Sequence, residues 1–123
     1  MLYEKLSYEF IGLCLELHKG LGPGLPEKVY HNGLYWDLQD FGYMVDKNIQ
    51  YRVNRNNRVL GEYYADLLVE NKIIIEVKAV KNLADEHTRQ ILNYLRISKC
   101  MVGFLVNFHP CLLEWKRVVF SGP

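Results

Sequence analysis

The sequence predicts an α/β fold, a central mixed β-sheet flanked by helices, and three observations carry the prediction. Two stretches of helical periodicity fill residues 1–41, strand-like texture takes over after Gly42, and a third helical stretch, Leu83 to Arg96, stands between apolar runs. At 123 residues, half of them hydrophobic and 24% charged, the chain is long enough for one domain with a real core and too apolar for disorder. The expected division is N-terminal helices over 1–41 and a sheet-and-helix core over 43–120.

In the first helix Leu2, Leu6, Phe10, Leu13, Cys14 and Leu17 recur at three- and four-residue steps, the period of one buried face. Gly20, Gly22, Pro23 and Gly24 end it. Phosphate-cradling glycine loops follow a strand, and the nucleotide type ends in Gly-Lys-Ser/Thr. Here the glycines follow a helix and lead to Glu27, so the stretch reads as a hinge. Pro26 suits the first turn of a second helix, and Glu27 suits the positive end of its dipole. Val29, Leu34, Tyr35, Leu38 and Phe41 then continue a helical period, with Glu27 and Tyr30 three apart on an early turn.

Met44 to Val53 alternates loosely, Asn56 and Asn57 supply turn residues, and Val59 to Glu70 is rich in Tyr, Val and Leu. This is the pattern of an antiparallel hairpin. Asn71 and Lys72 are read as a second tight turn, and Ile73 to Val80 as a central strand covered on both faces. Leu83 to Arg96 is helical through Ile91, Leu92 and Leu95, with Asp85 and Glu86 in its first turn. Met101 to Phe108 and Leu112 to Phe120 are the last strands.

Composition excludes several classes. No apolar run approaches the roughly 18 to 20 residues of a membrane span, and the first ten residues lack the apolar core of a signal peptide, so a cytoplasmic location is expected. Cys14, Cys100 and Cys111 have no paired spacing, which argues against disulfides or a zinc site. With 15 Lys and Arg against 14 Asp and Glu, binding to nucleic acid would have to rely on a local basic patch.

The segment from Glu62 to Val80, EYYADLLVENKIIIEVKAV, carries the chemistry. Side chains two apart on a strand share a face, so Glu76 and Lys78 point one way and Ile75 and Val77 the other. A turn at Asn71 and Lys72 places Asp66 opposite roughly Val77, within a few ångströms of Glu76 if the side chains share a face. Two converging carboxylates repel unless a cation lies between them, and hard divalent ions take such oxygen ligands. The plainer reading is a surface ion pair of Glu76 with Lys78 or Lys72.

These residues resemble the core of the PD-(D/E)XK nuclease superfamily, with Asp66 as its acid and Glu76-Val77-Lys78 as its ExK. GLPEKVY, Gly24 to Tyr30, is similar to the signature of the GxxExxY family within it, and Gln90 and Tyr94 match a Gln-x-x-x-Tyr helix element. Ala65 stands where the superfamily's name has proline. The resemblance implies a restriction-endonuclease-like core in which Asp66 and Glu76 hold Mg²⁺, or Mn²⁺, and Glu27 reaches the ion directly or through water. It further implies that Lys78 helps activate the attacking water and that Gln90 and Tyr94 line the substrate cleft.

The expected activity is Mg²⁺-dependent hydrolysis of phosphodiester bonds in nucleic acid, DNA or RNA, with Lys72, Lys81 and Arg89 as further substrate contacts. The alternative is a non-catalytic module that keeps the fold and binds nucleic acid or protein; a protein partner or a homodimer stays open. A metal-free structural protein is the third class. Tyr30 and Tyr94 also read as core aromatics with satisfied hydroxyls.

Overall fold

The computed structural model of the chain describes residues 1–122. Its elements run in the predicted order: α1 (Glu4–Leu21), α2 (Glu27–Phe41), β1 (Val45–Arg55), β2 (Arg58–Val69), β3 (Ile73–Lys78), α3 (Asp85–Ser98), β4 (Val102–Asn107) and β5 (Glu114–Val119). The strands form one sheet in chain order; β3 and β4 are parallel across the α3 crossover and the other pairs antiparallel. The sheet is thus mixed, as expected.

Alternation along the central strands divides the core in two. Ile73, Ile75, Val77, Phe104 and Val106 pack with Phe10, Cys14, Tyr30, Leu34 and Leu38 of α1 and α2, whereas Ile74, Leu105 and Val118 pack with Ile91, Tyr94 and Leu95 of α3. β3 is covered on both faces, so Glu76 and Lys78, in phase with Ile74, point toward α3.

The buried stripe of α2 is Tyr30, Leu34 and Leu38, at four-residue steps, while Val29 and Phe41 fall outside it and are exposed. Tyr30 stacks on Phe108 at 4.7 Å, and its hydroxyl donates to the Gly22 carbonyl and accepts from the Leu25 amide. Gly22 and Gly24 sit at φ 74 and 96, a region that glycine enters without Cβ strain. Tyr30 therefore clamps the glycine hinge from the core side, and its hydroxyl is satisfied, as its reading as a core aromatic required.

The hairpin between β1 and β2 turns at Asn56 and Asn57, as predicted, both with positive φ. The turn between β2 and β3 corrects the sequence reading. Its left-handed residues are Glu70 and Asn71, each at φ 54, and the Lys72 amide closes it on the Val69 carbonyl. The pairing that results, Val69 with Ile73, Leu68 with Ile74 and Leu67 with Ile75, carries one step further to set Asp66 across from Glu76 rather than Val77.

Helix α3 lies close to the sheet because β4 offers Gly103 beneath it. A Cβ there would meet Ile91 Cδ1 at 2.7 Å and the Ile74 carbonyl oxygen at 3.2 Å. Gly103→Val should cost about 1–3 kcal/mol by overpacking. A lowered midpoint in urea unfolding with an unchanged slope is the expected result.

Candidate active site

The site forms where the sheet forks. β2 pairs with β3 only from Leu67 to Val69; beyond that, side chains replace the backbone ladder. The Asp66 amide donates to Glu76 Oε1 at 3.2 Å, and the Val77 amide donates to Asp66 Oδ2 at 2.7 Å. Each carboxylate thus satisfies a backbone N–H that the parting strands would leave unpaired.

This arrangement holds a half-buried acid, Asp66, against a buried one, Glu76. Glu76 is 3% exposed. Burial, the largest cause, and the neighbouring Asp66 charge raise its pKa to about 9, which favours the protonated form at neutral pH. The Lys78 ammonium pulls the other way and does not prevail.

Lys78, two residues on and on the same face, donates from Nζ to Gln90 Oε1 at 3.1 Å, and Gln90 Nε2 donates to the Tyr94 hydroxyl at 3.3 Å. Gln90 and Tyr94 share a face of α3 because they are four residues apart. Burial, then Glu76 in its ionised form, raises the pKa of the Tyr94 hydroxyl, which accepts from Gln90. Asp66, Glu76, Lys78, Gln90 and Tyr94 are therefore brought together as the sequence suggested.

Other expected residues fall elsewhere. Glu27 is exposed on the first turn of α2, and among the described residues no group of three or more His, Cys, Asp and Glu side chains is disposed to hold a metal ion. The direct three-carboxylate set is thus not assembled. Lys72 lies in the turn at the other end of β3, over the ring of Tyr3 at 5.7 Å and about 13 Å along the strand from Glu76, so the fold removes it from the cleft. Lys81 is exposed in the loop after β3. Arg89 lines a cavity of about 470 Å³ with Gln90, Asn93 and Tyr94 of α3 and Val53 and Tyr63 of the hairpin.

Sequence reasoning missed two positioning residues. His31 Nε2 lies 3.0 Å from the Asp66 carbonyl oxygen and ties α2 to the fork; it stands four residues after Glu27, and that spacing was the available signal. Asn107, fully buried, accepts from the Val80 amide at 2.9 Å and donates to the Val80 carbonyl at 2.8 Å and to Glu114. It anchors the chain leaving Lys78. A lone amide in the apolar run GFLVNF was its mark in the sequence.

The donor set at the fork is made of carboxylate oxygens, hard, crowded and short of positive charge. That chemistry suits a hard divalent cation. The family model described as the PD-(D/E)XK nuclease superfamily matches residues 4–118. The structure titled "Crystal structure of SSO0001" is similar in fold, with a TM-score of 0.61 at 21% identity, covering 75% of this chain and 48% of that one; this chain thus spans about half the length of that protein. No curated protein matches the sequence.

A pH test of the buried acid follows. The folded pKa of Glu76 lies above its ordinary value of 4.5, so the folded state binds the extra proton between about pH 4.5 and 9 and loses stability as pH rises through that window. The slope is at most about 1.4 kcal/mol per pH unit. Glu76→Gln should flatten this fall and raise the melting temperature of metal-free protein at pH 8, which thermal unfolding across pH measures.

Proposed function

The chain belongs to the PD-(D/E)XK nuclease superfamily, and from that premise we propose that it is a divalent-metal-dependent nuclease whose site is the fork of β2 and β3. We also place it in the GxxExxY family, on the motif Gly24 to Tyr30. The observation that carries the proposal is the pair Asp66 and Glu76, a half-buried acid set against a buried one, with Lys78 held beside them by Gln90.

Asp66 and Glu76 would hold the ion. Nucleases of this superfamily generally use divalent metals, and a bound ion would supply charge to offset that developing on the phosphate and lower the pKa of its water. Lys78, its stem fixed on β3 and its ammonium held by Gln90, would orient the attacking water or donate to a phosphate oxygen. Tyr94 would donate from the same side. Glu27 shares a face of α2 with His31, which touches the fork, so its part would be an outer one, through water. Arg89 and Lys81, exposed nearby, would contact phosphates.

A second reading, a module that binds nucleic acid or protein without turnover, draws on one observation. Among the described residues only two carboxyl groups converge at the fork, and Glu27 stands outside. Turnover separates the two readings.

Calorimetric titration of Mn²⁺ into the wild type should show one or two saturable ions per chain, lost in Asp66→Asn. End-labelled DNA or RNA should be cleaved with Mg²⁺ or Mn²⁺ and spared when a chelator is added. Lys78→Ala should slow cleavage about 10²- to 10⁴-fold while keeping Mn²⁺ binding. Absence of metal binding with nucleic acid present, or unimpaired cleavage by Asp66→Asn, would sink the proposal.

A further inference from the structure

Beyond Leu67 and Ile75, β2 has only β1 as a partner, and the two strands run on as a ribbon from the pair Ile49 and Ala65 to the pair Arg55 and Arg58. A two-stranded ribbon is marginal in water, and here residues 54–60 are all exposed. The tip adds an electrostatic cost. Its two-residue turn, Asn56 and Asn57 at φ 51 and 62, sets Arg55 and Arg58 directly opposite each other, where like charges destabilise a strand pair.

Nothing within the ribbon relieves that repulsion. Its one acid, Glu62, is engaged by Arg52 at 3.4 Å and by Gln50 at 3.0 Å. With three arginines against one glutamate, the ribbon is positive in a chain whose net charge is only +1, so the remainder is slightly negative. The exposed tip, with two arginines facing each other, therefore supplies a local basic patch of the kind a near-neutral nucleic-acid-binding domain requires.

We propose that the tip, Arg55, Asn56, Asn57 and Arg58, is a second nucleic-acid contact that enters the major groove of duplex DNA while the fork holds the scissile phosphate. The inference rests on the nuclease reading of that fork. The major groove of B-form DNA admits a two-stranded ribbon, and arginine and asparagine are the side chains that pair bidentately with guanine and adenine edges there or bind the flanking phosphates. The major groove of A-form RNA is too deep and narrow to be read this way. Arg58 and Asp66 are eight residues apart along β2, about 26 Å, which matches about eight base pairs of duplex. Val53 and Tyr63 of the ribbon line the same cavity as Gln90 and Tyr94 of α3, beside the fork.

The test is fluorescence anisotropy of a labelled DNA duplex of roughly 24 base pairs, long enough to span both contacts, titrated in chelator across a salt series. The double variant Arg55→Gln/Arg58→Gln should bind at least about ten-fold more weakly, and its log–log salt slope should be shallower by about 2. Lys5→Gln/Lys19→Gln, which removes the same charge from exposed positions of α1, should leave the slope as in wild type.

An unchanged slope in the tip variant, an equal change in the α1 variant, or no duplex binding by the wild type would overturn the inference. So would an equal tip dependence on duplex RNA or single-stranded DNA. Tip-dependent binding by a wild type that cuts nothing with Mg²⁺ or Mn²⁺ would sink the nuclease reading and support the tip contact. Cleavage by a wild type whose binding ignores the tip would do the reverse.

Discussion

Two carboxyl groups are pressed together where β2 leaves β3, and the rest of the molecule is arranged around that constraint. The fork is a place where a sheet would ordinarily expose unpaired backbone donors. Asp66 and Glu76 accept those donors, which explains how a paired acid site can sit at the centre of an otherwise apolar sheet. The cost is electrostatic, and the fold bears it by keeping one proton on Glu76. A cation would relieve it in another way. Stability and function thus compete for the same two side chains.

The surrounding residues act on this pair in graded ways. Lys78 is positioned by its strand and held by Gln90, so its charge arrives without a flexible search. His31 fixes α2 against the Asp66 backbone, and Asn107 fixes the chain leaving Lys78. Tyr30 has a different task, since it closes the glycine hinge and stacks in the core, and so sets where α2 starts. The motif that joins Glu27 and Tyr30 therefore has one member that serves packing and one that faces solvent.

Charge in this chain is local rather than global. A near-zero total conceals an acid pair at the fork, held together by a retained proton, and a pair of facing arginines at the end of a projecting ribbon. Opposite partners, a cation at one and a polyanion at the other, would relieve both.

Most of the architecture was legible in the sequence. Helix periodicity in residues 1–41, the apolar run at Ile73, the asparagines at 56 and 57 and the return to helix at Asp85 depend on local spacing, and spacing survives folding. The nearness of Asp66 to Glu76 and the face shared by Gln90 and Tyr94 were legible for the same reason. The register was not, because the left-handed turn falls on Glu70 and Asn71 and moves each cross-strand partner by one. Tertiary structure alone decided which residues of α2 are buried, that Lys72 lies at the far end of its strand, that Glu27 stands apart, and that His31 and Asn107 hold the site. Those outcomes depend on where one element lies against another. The period of a single strand or helix carries no information about that.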